Sequence, residues 1–158
     1  MSELAASAQK VQDAATARGL DIAVAEMAQP TRTAEEAAAA CGVTVGQIVK
    51  SLVFLGASSG KPYLLLVSGA NRVNEKGVAA HLGEKLQRPD AGAVRALTGY
   101  AIGGIPPFGH DTPLATYMDR DLLAYDVIWA AAGTPKAVFR TEPAKLRDAT
   151  QATVIEVK

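Results

Sequence analysis

Cysteine, net charge and long apolar runs are all scarce in this chain, and each scarcity excludes something. The one cysteine, Cys41, leaves no partner for an internal disulfide and argues against a cysteine-rich metal site; such usage suits a reducing cytoplasm. Acidic and basic side chains balance at 16 each, so no broad basic face for gripping long duplexes is expected. A small anionic ligand, or the very end of a nucleic acid, stays compatible with that balance. The opening Met1-Ser2-Glu3-Leu4 lacks a charged segment followed by an apolar one, and no apolar run approaches membrane-spanning length. There is no internal repeat, linker or low-complexity tail, no Walker A spacing and no dinucleotide fingerprint. The expectation is a soluble cytoplasmic protein with no membrane, metal or cofactor.

What is present is ordinary in bulk. The 158 residues, 49% hydrophobic and 20% charged, can bury a real core as one domain spanning 1–158. Residues 2–18 place Leu4, Ala8, Val11 and Ala15 at helical spacing, with Ser2 as the expected N-cap and Gly19 as the stop. Leu20, Ile22 and Val24 alternate and predict a short strand over 20–25. Thr33 followed by Glu36 is a capping box for an alanine helix that runs to Cys41 and ends at Gly42. Cys41 has no base nearby in sequence and reads as a small core hydrophobe.

The chain is organised around residues 46–54, Gly-Gln-Ile-Val-Lys-Ser-Leu-Val-Phe, which reads as a buried strand. A lysine sits in its middle. An ammonium buried alone is costly, so Lys50 must snorkel, pair with a carboxylate, or face a cleft that receives an anion. The ordinary alternative is a lysine on the solvent face of an edge strand. Past the Gly56–Gly60 loop, residues 62–68 form a second apolar strand, and the two predict an antiparallel hairpin covered on both faces. Asn74 caps a helix to Leu82, residues 86–88 are extended, and Asp90 opens a helix from Ala91 to Leu97. Strands are predicted at 114–118, 125–131, 136–140 and 152–157, a short turn or helix at 119–123, and a helix over 142–149. The fold class is α/β (α+β): helices around a mixed, largely antiparallel sheet.

A second unusual stretch runs from Gly99 to His110. Its glycines and prolines give a loop with exposed amides and a fixed path, able to bring N–H groups to a carbonyl or phosphate oxygen. A merely structural glycine turn is the alternative.

The lysine strand, followed downstream by Gly99-Tyr100 and Gly103-Gly104-Ile105-Pro106-Pro107-Phe108-Gly109, resembles the YbaK/EbsC family. These are aminoacyl-tRNA deacylases related to the prolyl-tRNA synthetase editing domain. The resemblance implies a mixed α/β fold and hydrolysis of a mischarged amino acid from tRNA. It further implies that Lys50 positions the aminoacylated 3′ end, and that Gly103 and Pro107 are the fixed positions of a Gly-x-x-x-Pro loop at the ester. Ser51, Gly104, Ile105 and Gly133 would border the substrate. The partner implied is the acceptor end of an aminoacyl-tRNA, with a synthetase as a second candidate.

Departures from the family pattern concern specificity. Cysteinyl-specific relatives carry Ser-Gly-Gly where this chain has Ala131-Ala132-Gly133, and an aspartate where Val138 falls. Alanyl-specific relatives carry an asparagine and a late histidine where Ser51 and Lys136 stand. The resemblance is closer to branches of which some act on seryl- or threonyl-tRNA. An aminoacyl ester is already activated, so positioning and oxyanion stabilisation suffice without a protein nucleophile. His110 adjoins the loop as a candidate substrate contact; His81 reads as a solvated helix-end residue. Arg72 and Lys76 are candidates for the acceptor stem or simply solvated. Two other classes remain: a non-catalytic module that binds the aminoacyl-tRNA end, and a synthetase-associated partner.

Overall fold

The computed structural model describes residues 4–158. Helix α1, Ala6–Ala17, buries Ala8, Val11 and Ala15 at the expected spacing. The expected cap at Ser2 lies outside the described residues; Ala5 precedes the helix without a side-chain cap. Residues 20–25 do not form the expected strand. Only β1, Ala25–Glu26, pairs with a neighbour. Leu20 and Ile22 are buried all the same, because the Gln12 side chain takes the place of a strand. Its Nε2 donates to the Ile22 carbonyl at 2.9 Å, and its Oε1 accepts from Val24 N–H at 3.0 Å.

Helix α2, Ala34–Cys41, starts on the Thr33/Glu36 capping box and ends at Gly42 with φ +69°. A 3-10 turn at Val45–Gln47 leads into β2, Ile48–Gly56, two residues later than the apolar run suggests. The delay follows from the Thr44/Gln47 cap, in which Gln47 Oε1 accepts from Thr44 N–H at 3.1 Å and holds the turn. Strand β3, Pro62–Ser68, pairs antiparallel with β2 from Val49↔Ser68 to Leu55↔Pro62, the hairpin read from sequence. Then come α3 (Glu75–Leu82, capped by Asn74), β4 (Leu86–Gln87), α4 (Ala91–Thr98, capped by Asp90) and β5 (Ala115–Asp119). A 3-10 turn at Arg120–Ala124 leads to β6, Ile128–Ala131, three residues later than expected. Strand β7 (Ala137–Thr141), helix α5 (Pro143–Thr150) and strand β8 (Thr153–Ile155) complete the chain.

The strands form one mixed sheet in the order β1-β7-β6-β2-β3-β5-β8, with β4 beside the far end of β2. Antiparallel contacts join β1/β7, β2/β3, β2/β4 and β6/β7; parallel ones join β2/β6, β3/β5 and β5/β8. Strand β2 therefore lies inside the sheet order, flanked by β6 at its start and β4 at its end with a gap between them, and Lys50 stands at that gap rather than on the sheet's outer edge. Side chains alternate across the sheet. One face, with Val49, Val53, Leu64, Leu66 and Phe139, packs under α1, α4 and α5 in the main core. The opposite face carries two separate clusters. Ile48 and Trp129 meet α2, whereas Phe54, Leu65 and Val67 meet α3. Lys50 falls on this second face between the two clusters. None of the described helices is long and apolar enough to cross a membrane.

Candidate functional site

Strands β2 and β6 run side by side for only two residue pairs, Ile48↔Trp129 and Val49↔Ala130. They then part. Strand β3 occupies one edge of β2 throughout, so β6 and β4 share the other, meeting it at residues 48–49 and 55–56. Between those points no strand covers the edge. Ser51 and Val53 point their main-chain groups toward this open edge by the alternation of an antiparallel pair, and neither pairs with a strand on that side among the described residues. The split lies beyond the carboxyl end of β6 and alongside the middle of β2.

A cleft of about 390 Å³ occupies the split. Lys50, Ser51 and Leu52 form one wall, Trp129, Ala131 and Val138 the other, and Thr33 to Ala37 of the α2 start close one end. Ile102, Gly103 and Ile105 enter from the glycine loop. Gly103 takes φ +98°, a conformation that favours glycine, and an added Cβ would stand 3.2 Å from the Arg32 side chain.

Lys50 is half-buried and forms no ion pair among the described residues. Its Nζ donates one short hydrogen bond, to the Asn71 carbonyl. Burial pushes its ammonium below the usual lysine value; the carboxylates of Glu35 and Asp119 pull it back up, and Arg72 pushes it down. An ammonium with one carbonyl partner and an open cleft in front has donors left for an anionic or oxygen-rich ligand. Ser51 also lines the cleft; its hydroxyl is shielded from solvent and is the one buried side-chain oxygen or nitrogen among the described residues with no hydrogen-bond partner. No group of three His, Cys, Asp or Glu side chains among the described residues is placed to hold a metal.

The structure gathers Lys50, Ser51, Gly103 and Ile105 at the cleft and puts the other sequence candidates behind it. Gly104 is buried; its carbonyl accepts from Gly133 N–H at 2.9 Å, and its Cα packs against the Thr134 backbone. Gly133 in turn, at φ +93°, rests on α1, where a Cβ would approach the Ser7 carbonyl oxygen to 2.6 Å. Pro107 is buried and, with His110, lines a separate hollow beside Arg18 and Gln151. His110 Nε2–H donates to the Pro106 carbonyl at 2.7 Å, and burial pushes the imidazole pKa down. Cys41 closes α2, half-buried, its thiol pushed up by burial. Asn71 and Asp119, which hold the Lys50 acceptor, were not among the sequence candidates; they lie 48 residues apart and nothing local links them.

Residues 28–149 match the aminoacyl-tRNA editing domain family. The chain belongs to that family. Within it the YbaK/EbsC branch is supported by a candidate Cys-tRNA(Pro)/Cys-tRNA(Cys) deacylase, EbsC, of Enterococcus faecalis, 30% identical over 102 residues, 64% of this chain and 62% of that protein. YwhH of Bacillus subtilis, a protein without assigned function, is 28% identical over 125 residues, 79% of each chain. A crystal structure described as a candidate trans-editing enzyme for prolyl tRNA synthetase is 50% identical, with a TM-score of 0.93 over 99% of both chains. The editing-domain fold and its mixed sheet are therefore those expected from the lysine strand and glycine loop.

Proposed function

We propose that this editing domain is a hydrolase that removes a mischarged amino acid from tRNA, with the split between β2 and β6 as its active site. The single observation that carries the reading is Lys50: an ammonium held inside a cleft, with no ion pair among the described residues, beside main-chain groups that no strand pairs. That arrangement suits the 3′ end of an aminoacyl-tRNA, which brings phosphate and ribose oxygens together with one activated ester. The Lys50 ammonium binds a terminal phosphate or ribose oxygen. Main-chain N–H groups of the loop at Gly103 and of the open β2 edge at Ser51 orient the ester carbonyl and stabilise the charge that develops on it. Water, oriented by the neighbouring ribose 2′-hydroxyl, attacks the carbonyl carbon; the ester C–O bond breaks, the amino acid is released as its free acid and the ribose oxygen takes up the proton the water gives up. Gly104, Gly133, Pro107 and His110 serve by holding the loop in place.

The apolar second wall, Trp129, Ala131 and Val138, offers neither the hydroxyl nor the carboxylate of cysteinyl-specific relatives. A small amino-acid side chain other than that of cysteine is the reading this wall supports. The relatives named for tRNA deacylation and for trans-editing support the same activity, and the second of them supports a prolyl-tRNA synthetase as partner.

The test is single-turnover deacylation of a panel of mischarged tRNAs: prolyl-acceptor tRNA carrying alanine or cysteine, plus seryl- and threonyl-tRNAs. Wild type should clear one class faster than background, and Lys50→Ala should lose about 100-fold or more of that rate. Background rates across the panel with retained binding to the tRNA end would replace the hydrolase with a binding module.

A further inference from the structure

We infer that Asn71 and Asp119 are positioning residues for Lys50, fixing its ammonium from outside the cleft; this rests on the deacylase reading above. The Lys50 acceptor is the Asn71 carbonyl, and Asn71 belongs to no helix or strand. A carbonyl on a free turn cannot place an ammonium, so something must hold the turn. Both hydrogens of the Asn71 side-chain amide are used for this: Nδ2 donates to Asp119 Oδ2 and to Asp121 Oδ2, each at 2.8 Å. The same Asp119 oxygen accepts from Ser68 N–H at 3.0 Å, where the turn leaves β3, and Oδ1 accepts from Asp121 N–H at 2.9 Å. One carboxylate thus clamps the turn at its first and fourth residues. The parallel pairing of β3 with β5 brings it there.

The charge matters as well as the hydrogen bonds. Asp119 is 2% exposed, and among the described residues it has no ion pair, whereas Asp121 is taken by Lys158 at 3.0 Å. A carboxylate in that setting is costly unless it has a cation to stabilise. It favours the charged form of Lys50 across the Asn71 bridge, and that of Lys158 as well. The other charges facing Lys50 are Glu35 from α2, which acts in the same sense, and Arg72 from the turn itself, which opposes it.

The experiment compares Asn71→Ala and Asp119→Asn with wild type in deacylation across pH. In parallel, the Lys50 amine is titrated by NMR of the ¹³C-methylated protein, its resonance identified through Lys50→Arg. Each variant should lose about tenfold or more in kcat with KM within about threefold, the mark of a misplaced group that acts in the transition state. In each, the alkaline limb of the rate and the Lys50 titration should move together to lower pH by about half a unit or more, because the ammonium loses its acceptor, its counter-charge or both. Variants that melt earlier but keep the wild-type limb and the wild-type Lys50 titration would show a purely structural clamp and overturn the inference. Should Asp119→Asn fail to fold, Asn71→Ala decides alone, since it keeps the carbonyl and removes only the tie. Absence of any hydrolysis by wild type would sink the deacylase reading, and the titration would still decide the positioning.

Discussion

Lys50 and Ser51 are consecutive residues of one strand whose side chains project to opposite faces of the sheet, and both line the same cleft. In an unbroken sheet that cannot happen, because a neighbouring strand separates the two faces. It happens here because β6 leaves β2 after Val49. The opening goes through the sheet, with α2 above it and the glycine loop below. The lysine reaches the cleft from the face that has a gap between its two apolar clusters. Ser51 borders it from the main-core side, with its hydroxyl shielded from solvent.

Ser51→Ala should separate stability from activity. The Ser51 Oγ has no hydrogen-bond partner, so removing it breaks no bond and relieves a buried polar atom. Stability should stay within about 0.5 kcal/mol of wild type or rise slightly. If the hydroxyl meets substrate, kcat/KM should fall by about tenfold, the cost of one lost hydrogen bond. Equal kcat/KM for the two proteins removes the hydroxyl from the site and leaves only the Ser51 main chain there.

Gly133→Ala tests the brace behind the loop. A Cβ at φ +93° is strained, and it would also press on the Ser7 carbonyl oxygen at 2.6 Å. Stability should drop by roughly 1–3 kcal/mol, read by denaturant unfolding. Activity should fall in the folded fraction, because Gly133 N–H holds the Gly104 carbonyl. A variant of wild-type stability would mean that α1 yields at no cost.

His110 should make stability depend on pH. Burial lowers its folded pKa, ahead of the opposing hydrogen bond to Pro106. The unfolded chain therefore takes up the proton first as pH falls through about 6.5. Stability should be full above that value and decline as pH drops below it toward the folded pKa. His110→Gln should flatten this slope between neutral and mildly acidic pH in thermal melts. An unchanged slope would place its origin in other groups.

Thr33→Ala removes one half of a capping box whose Oγ1 accepts from Glu36 N–H at 3.1 Å. The expected loss is about 1 kcal/mol. Because α2 closes one end of the cleft, amide exchange in its first turn should speed up more than in the sheet. Uniform acceleration across the protein would instead indicate that α2 opens only with global unfolding.

Features carried by neighbours in sequence were legible before the structure. The Thr33, Asn74 and Asp90 caps and the β2/β3 hairpin depend on residues a few positions apart or on runs of apolar side chains. The alternating Leu20, Ile22 and Val24 misled because alternation reports burial on one side, not the presence of a ladder; Gln12 supplied the bonds a strand would have made. Lys50 and Gly103 stood out as anomalies in their own segments and do meet at the cleft. The route from Asp119 through Asn71 to Lys50 had no such signal, since an aspartate after a strand and an asparagine in a turn are ordinary locally. Nor can composition tell where two parallel strands part, which here depends on β6 ending its pairing at Ala130.

The stack of Gly104 on Gly133 and Gly133 on Ser7 also sets the order in which the molecule is completed. The glycine loop leans, through Gly133, on α1 at the other end of the sequence. The loop settles only once the first residues of the chain have met its last third, a closure of long sequence separation that belongs late in folding. The lysine strand and its hairpin are local and can form early. The two walls of the cleft thus depend on contacts of opposite range: the Lys50 hairpin on neighbours in sequence, the loop that faces it on the amino-terminal helix.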